Sequence, residues 1–340
     1  MRQPGSTVFT SIMWRMFPIL PERKVPPIII ITIIIVTIII IAVTIGTIFV
    51  VNNIAGKETT ADGSKKKAKT VTETNTDQYA EPETLQQDKD DENADENAFV
   101  FRDVFGVEYE TVINPSIPAK IYPDESFKKN GDAIVYLDGE YSLGIDVSHH
   151  QGYIDFNAVK NAGYDFVIAR IGYRGYSEEG SLNADREFEN YYTNARAAGL
   201  KAGAYFFAQA VNEEEAKEEA DFVLSILNGR KMDLPIVYDP ESILDDVART
   251  DNVSGEQFTA NTKVFCETIT EGGYDPMIYA NMLWEAFKLD LTQLKEYPIW
   301  YADYEDKPQT PYDFVIWQYT NEGNVPGVEG VCDIDIRINR

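Results

Sequence analysis

The sequence predicts an α/β protein: a TIM-like (β/α)5β3 barrel over residues 141–340, preceded by a single transmembrane helix and a disordered linker. Three observations predict it. An unbroken apolar run lies near the start, a polar stretch poor in large apolar residues follows it, and β-rich runs then alternate with helical patterns to the end.

Residues 1–27 form a short leading segment, expected to be cytoplasmic. From Ile28 to Val51 the chain is apolar apart from Thr32, Thr37, Thr44, Gly46 and Thr47. As a helix rising ~1.5 Å per residue, this run would cover roughly 36 Å, enough for a hydrocarbon core of ~30 Å. A secretory signal has a shorter apolar centre, and no small-x-small cleavage site follows, so an uncleaved signal anchor is expected. A buried core helix is the competing reading, but an Ile-rich run with no polar face would be exceptional in a soluble domain. Basic residues flank both sides, Arg2, Arg15, Arg23 and Lys24 before and Lys57, Lys65, Lys66, Lys67 and Lys69 after, so the charge rule gives no clean orientation. Arg23 and Lys24 lie nearest the span, which favours the N-terminus inside and the remainder outside.

Residues 52–98 are rich in Lys, Glu, Asp, Thr, Gln and Asn, and cannot offset ordering entropy by burial. Such a tether has a root-mean-square reach of ~35–40 Å. Hydrophobic residues return over 99–140, with Val107, Tyr109, Ile113, Ile134 and Tyr136, as a lead-in of short strands and turns.

In the final region, strands are expected at Leu143–Val147, Phe166–Gly172, Ala202–Phe207, Pro235–Asp239, Met277–Ala280, Ile299–Ala302, Phe314–Tyr319 and Val331–Ile336. Helices are expected at Phe156–Ala162, Asp185–Ala198, Glu213–Leu227, Gly255–Glu271 and Asn281–Phe287, with Gly163, Gly199, Gly229 and Gly272 as stops. Alternation implies parallel strands, and eight close naturally into a barrel. An open doubly wound sheet is the competitor, but its phosphate-binding glycine turn is missing, since Gly144 and Gly152 flank Asp146 instead.

Composition narrows function. The 340 residues are 44% hydrophobic, enough for a large core, and 56 acids against 30 bases give a net charge of -26. Nucleic acid would be repelled. The two cysteines, Cys266 and Cys332, lie far apart and are expected to be free thiols; no metal or cofactor site is expected.

Chemistry in such barrels collects at the C-terminal strand ends. Acids stand there at Asp146, at Asp239 and Glu241, at Asp303, and at Asp333 and Asp335. Asp239 and Glu241, two residues apart on a strand, point the same way roughly 6–7 Å apart. Crowded carboxyls can hold one proton and one negative charge at the same pH, which glycosidic cleavage uses. A single such acid could equally cap a helix or face water. The set is harder to explain that way, because the aromatics Tyr173, Tyr205, Tyr238, Trp300, Tyr301, Trp317 and Tyr319 accompany it, about half of them expected in packing and the rest against sugar rings.

At these residues the chain resembles a known family. Gly144-Ile145-Asp146-Val147-Ser148, Phe166 to Arg170, Ala197 to Tyr205, Leu234 to Glu241, and Trp317-Gln318-Tyr319 leading to Gly327 and Asp333 are similar to the family 25 glycoside hydrolases, lysozymes of the N,O-diacetylmuramidase type. The resemblance runs from about Leu143 to the C-terminus. It implies hydrolysis of the β-1,4 bond between N-acetylmuramic acid and N-acetylglucosamine in peptidoglycan. It further implies Glu241 as proton donor, Asp239 as its partner, Asp146 and Asp333 as further site acids, and Tyr205, Tyr238, Tyr173, Trp300, Tyr301, Trp317 and Gln318 as substrate contacts. Asp335 shares a strand face with Asp333, and only the motif separates them. Pro240 stands where an aromatic is often found, and His149-His150-Gln151-Gly152 also departs from the pattern; those histidines either touch sugar hydroxyls or form a surface turn.

Asp239 is expected to orient the 2-acetamido group so that its carbonyl oxygen assists at the anomeric carbon. In the competing version an aspartate activates water with inversion. Two other functions stay open: a non-catalytic wall-binding module on the same barrel, and a glycosidase for another acetamido-sugar polymer. The expected setting is the outer side of the cell membrane, near the cell's own wall.

Overall fold

The computed structural model describes residues 97–339 apart from Phe105, Asp132 and Asp245. The expected leading segment, membrane span and nearly all of the linker therefore lie outside the described residues. Among the described residues, no helix is long and apolar enough to cross a membrane.

Two small antiparallel hairpins come first, β1 (Ala98–Arg102) with β2 (Glu108–Val112), and β3 (Phe127–Asn130) with β4 (Ala133–Tyr136). The barrel strands are β5 (Tyr141–Val147), β6 (Phe166–Arg174), β8 (Lys201–Ala208), β9 (Ile236–Pro240), β10 (Pro276–Asn281), β11 (Ile299–Ala302), β12 (Ile316–Gly323) and β13 (Cys332–Ile338). β5 pairs with both β6 and β13, which closes the sheet; a short β7 (Leu182–Ala184) adds to β6 from outside the ring. Pairings are parallel from β5 through β12, and β13 runs antiparallel to both neighbours. All eight expected strands are present. β7 was not anticipated: three residues give period-2 patterning too little length to register.

The helices are α1 (Phe156–Asn161), α2 (Phe188–Ala197), α3 (Glu213–Leu227), α4 (Gly255–Glu271), α5 (Met282–Phe287) and α6 (Leu291–Leu294). Side chains at the starts of all but α2 satisfy free backbone donors, as where Asn212 accepts from Glu215 N and Ser254 from Gln257 N. The left-handed stop after α4 is Gly273 (φ 83°), and Gly272 keeps helical angles, so the expected glycine is displaced by one residue.

Strand alternation sorts side chains into two layers. In β13, Cys332, Ile334, Ile336 and Ile338 join the core outside the sheet, which leaves Asp333, Asp335 and Arg337 on the inner face. The inner core holds Phe166, Ile168, Val237, Met277 and Trp300. Gly144 has to be glycine here, because a Cβ would lie 2.1 Å from the Phe166 ring that fills the barrel floor.

The last barrel strands are joined by short connections, so no long helix covers their outer face. The lead-in segment covers it. Phe127 stands edge-on to Trp317 at 5.4 Å, Tyr122 packs on Phe314 at 5.2 Å, and the Tyr122 hydroxyl donates to Phe314 O at 3.0 Å. Lys120 N–H donates to Pro311 O and Asp313 N–H to Pro118 O, which stitches the lead-in to the barrel. Phe127 is 3% exposed. Phe127→Ala should cost about 3–5 kcal/mol, read as a lowered urea midpoint with an unchanged slope; a loss below about 1 kcal/mol would mean that the hairpin is dispensable to the barrel.

Candidate active site

The inner face at the C-terminal strand ends gathers the candidate acids. Asp146 sits on β5 directly opposite Asp333 of antiparallel β13. Opposed residues of this kind share a sheet face with Cβ atoms ~4.5–5.5 Å apart, where like charges repel. Asp239 is the last residue but one of β9, and Glu241 lies just beyond the strand. Three of the four feel others of the set: Asp333 raises the proton affinity of Asp146, Asp239 and Glu241, and Glu241 raises that of Asp239. The acids expected to meet do meet.

Burial is the larger cause throughout. It pushes Asp146 and Asp239 well above the usual carboxylate range, Glu241 up to about 7 and Asp333 up to about 6. Arg170, on the inner face of β6, is the cation that draws Asp239 back down. Its Nε donates to Asp185 Oδ2 at 2.9 Å and its guanidinium lies 5.1 Å from the Tyr173 ring centroid, so it is braced on both sides. Asp239 Oδ1 is buried and has no hydrogen-bond partner. A buried acceptor left open in this way is ready for a donor from a ligand.

A fixed hydrogen-bond chain orients Asp146. Gln318 Oε1 accepts from the Tyr279 hydroxyl at 3.0 Å and from the Tyr304 hydroxyl at 3.1 Å, which leaves the Gln318 amide to donate to Asp146 Oδ2 at 2.7 Å. Tyr279 also hydrogen-bonds Glu241. The backbone of Glu241 is held separately: buried Gln209 donates from Nε2 to Glu241 O at 2.8 Å while its Oε1 accepts from Thr250 Oγ1 at 2.8 Å.

Asp335 proves distinct from Asp333. It lies a pair further along β13, opposite Gly144, fully buried, with Trp300 Nε1 donating to its Oδ1 at 2.8 Å. Asp333 is the more accessible of the two and stands at the mouth.

Four of the seven expected substrate contacts reach the site: Tyr205, Trp300 and Gln318 on the inner face, and Tyr173 beside Arg170. Tyr238, Tyr301 and Trp317 do not. Each adjoins an inward residue (Asp239, Trp300 and Gln318), and strand alternation turns it outward. Tyr238 packs on Phe265 at 4.6 Å, the Tyr301 hydroxyl donates to Asp303 Oδ2 at 2.8 Å, and Trp317 Nε1 donates to Asp303 O at 2.7 Å. All three support the layer around the barrel.

Tyr279, Tyr304, Arg170 and Gln209 were missed as site residues. The period-2 rule could have found Tyr279, two residues after inward Met277. Tyr304 and Gln209 lie beyond strand ends, where no periodicity speaks. The two histidines form a tight turn closed by reciprocal Ser148 and Gln151 bonds, with His149 Nδ1 3.0 Å from Asp185 Oδ2. Both cysteines are buried and unpaired.

The family model for glycosyl hydrolases family 25 matches residues 145–328, more than half of the sequence. The chain belongs to glycosyl hydrolases family 25. Among curated relatives, it is 30% identical over 193 residues to the autolytic lysozyme of Clostridium acetobutylicum, covering 56% of this chain and 54% of that one. It is 30% identical over 199 residues to lysozyme M1 of Streptomyces globisporus, covering 56% and 65%. The chain thus spans about half to two thirds of the length of these relatives. A solved family 25 glycosyl hydrolase from Bacillus anthracis has the same fold, at TM-score 0.50 and 22% identity, over 64% of this chain and 96% of that one.

Raised carboxyl affinities link to stability with a definite sign. Glu241 and Asp333 keep protons when folded that the unfolded chain releases near pH 4–4.5, so this contribution is complete below that pH and is lost as pH rises through about 6 to 7. The melting temperature should therefore fall between pH 4.5 and 7.5, and Glu241→Gln should flatten that fall. A Glu241→Gln profile parallel to that of the parent would contradict the assignment.

Proposed function

We propose that this family 25 chain is a membrane-anchored muramidase that cleaves the β-1,4 bond between N-acetylmuramic acid and N-acetylglucosamine of peptidoglycan. The observation that carries the reading is the meeting of Asp146, Asp239, Glu241 and Asp333 in one mouth, with Glu241 retaining its proton up to about pH 7. The names of the relatives, an autolytic lysozyme and lysozyme M1, support it.

In this mechanism protonated Glu241 donates to the glycosidic oxygen as the bond to the anomeric carbon breaks. General acid help of this kind is worth ~10²–10⁴ in rate. The open Oδ1 of Asp239 accepts the N–H of the 2-acetamido group, and the acetamido carbonyl oxygen bonds to the anomeric carbon in place of the departing oxygen. With Glu241 protonated one repulsion on Asp239 is lifted and Arg170 draws it down, and the acetamido N–H and the positive ring then offset the burial that otherwise holds Asp239 neutral. Water then attacks the anomeric carbon and displaces the acetamido oxygen, whose carbonyl is restored, while the Glu241 carboxylate takes a proton from that water and is ready for the next cycle. Asp146, fixed by Gln318, and Asp333 stabilise developing positive charge. A complete proton donor and open partner carboxyl favour this over a wall-binding module, which needs neither.

Anchoring belongs to the same proposal. The apolar run 28–51 would hold the chain in the membrane with its N-terminus cytoplasmic, and residues 52–98 would tether the catalytic barrel outside, close to the wall. Carbonate washing of membranes should leave the full chain in the pellet; recovery in the supernatant would refute the anchor.

Glu241→Gln should abolish turbidity loss of purified walls, and the parent kcat/KM should fall about tenfold per unit above pH 7, as the donor loses its proton. Undiminished lysis by the variant would remove Glu241 from the role. Product anomers followed by NMR should show net retention, whereas inversion would exclude acetamido participation.

A further inference from the structure

The β1–β2 hairpin lies outside the matched family region, which begins at residue 145, yet it reaches the catalytic mouth. It is docked by specific bonds. Arg102 N–H donates to Gln309 Oε1 and Gln309 Nε2 donates back to Arg102 O, both at 2.8 Å, while Gln309 N–H donates to Asp303 Oδ2 at 2.8 Å. Phe101 and Tyr109 each meet the Phe287 ring at 6.1 Å. Asp103 closes the tip, its Oδ1 accepting from Val107 N–H at 2.9 Å and its backbone oxygen from Gly106 N–H at 2.9 Å. This clamp sets Val104 as one wall of a cavity of about 110 Å³, shared with Leu244, Leu283, Ala302, Tyr304 and Glu241.

That cavity includes the proton donor and none of Asp146, Asp239 or Asp333. A group inside it therefore meets Glu241 without meeting the other three acids. The cavity's volume of about 110 Å³ is below the ~150 Å³ of a closed cavity that holds a benzene ring, a size matched to a substituent such as an acetyl group. Its lining is mixed: Val104, Leu244, Leu283, Trp284 and Ala302 supply apolar surface, and Ser242, Asn281, Lys288 and the tyrosines supply polar groups beside Glu241.

We infer that the hairpin is a specificity-determining part of the cleft, with Val104 completing a pocket for the N-acetyl methyl of the amino sugar that leaves on Glu241. The inference rests on the muramidase reading. A methyl-sized contact in such a pocket separates substrates by ~10-fold or more.

The test uses the full chain and two peptide-free glycan oligosaccharides of alternating muramic acid and glucosamine, one with the glucosamine N-acetylated and one with its amine free. The parent kcat/KM should favour the acetylated oligosaccharide by about tenfold. Val104→Trp, which fills the pocket at a partly exposed turn, should compress that ratio to within about threefold. Gln309→Ala, which releases the hairpin from the rim, should compress it in the same direction, with circular dichroism showing that both variants fold. An unchanged ratio in both folded variants, or no preference in the parent, would overturn the pocket while leaving the muramidase intact. Failure of the parent to cleave either oligosaccharide would instead overturn the muramidase.

Discussion

Acids crowd the mouth of this barrel, and within it Arg170 is the cation that draws Asp239 down. Asp146 faces Asp333 across adjacent strands, Asp239 and Glu241 close the opposite side, and burial denies all four the water that would ionise them freely. The consequence is protonation shared across the cluster, not four independent charges. Chain charge alone could not give this, because most of the excess acid on such a molecule is solvated and inert. What matters is the closed sheet, which forces side chains from β5, β9 and β13 to converge and fixes them with uncharged donors, Gln318 on Asp146 and Trp300 on Asp335.

Much of this architecture was legible before any coordinates, because long elements carry their period openly. α3 and α4 begin and end at the residues their patterns indicate, Glu213–Leu227 and Gly255–Glu271. The acids were legible as a set, since Asp146, Asp239 and Asp333 sit on strands whose alternation turns them inward, and Glu241 follows just beyond β9. The aromatics were read less well. Tyr238, Tyr301 and Trp317 were counted as ligand contacts because they stand near the same strand ends as the acids, whereas alternation assigns them to the face opposite their inward neighbours. Tyr304 and Gln209 lay beyond reach for a different reason: they follow strand ends, and loop conformation, which periodicity does not encode, aims them.

The lead-in segment had no evident role as sequence, because its strands are too short to show a period and its partners lie some two hundred residues away. In the structure it does what helices do elsewhere around the barrel. Phe127, Tyr122 and Tyr136 form one aromatic cluster over Phe314 and Trp317, on the flank where short connections leave the sheet bare. The folded unit is therefore larger than its family match, and its N-terminal edge sits beside Glu241.

The account stands on the proton of Glu241. Difference infrared spectroscopy of the parent against Glu241→Gln isolates the carboxyl stretch of this one residue through a pH titration. The account predicts that the protonated band persists through pH 6 and disappears with a midpoint near 7. A midpoint near the ordinary glutamate value of about 4.3 would mean that Glu241 is solvated and ionised at neutral pH, and the carboxyl cluster would not be an acid-holding site.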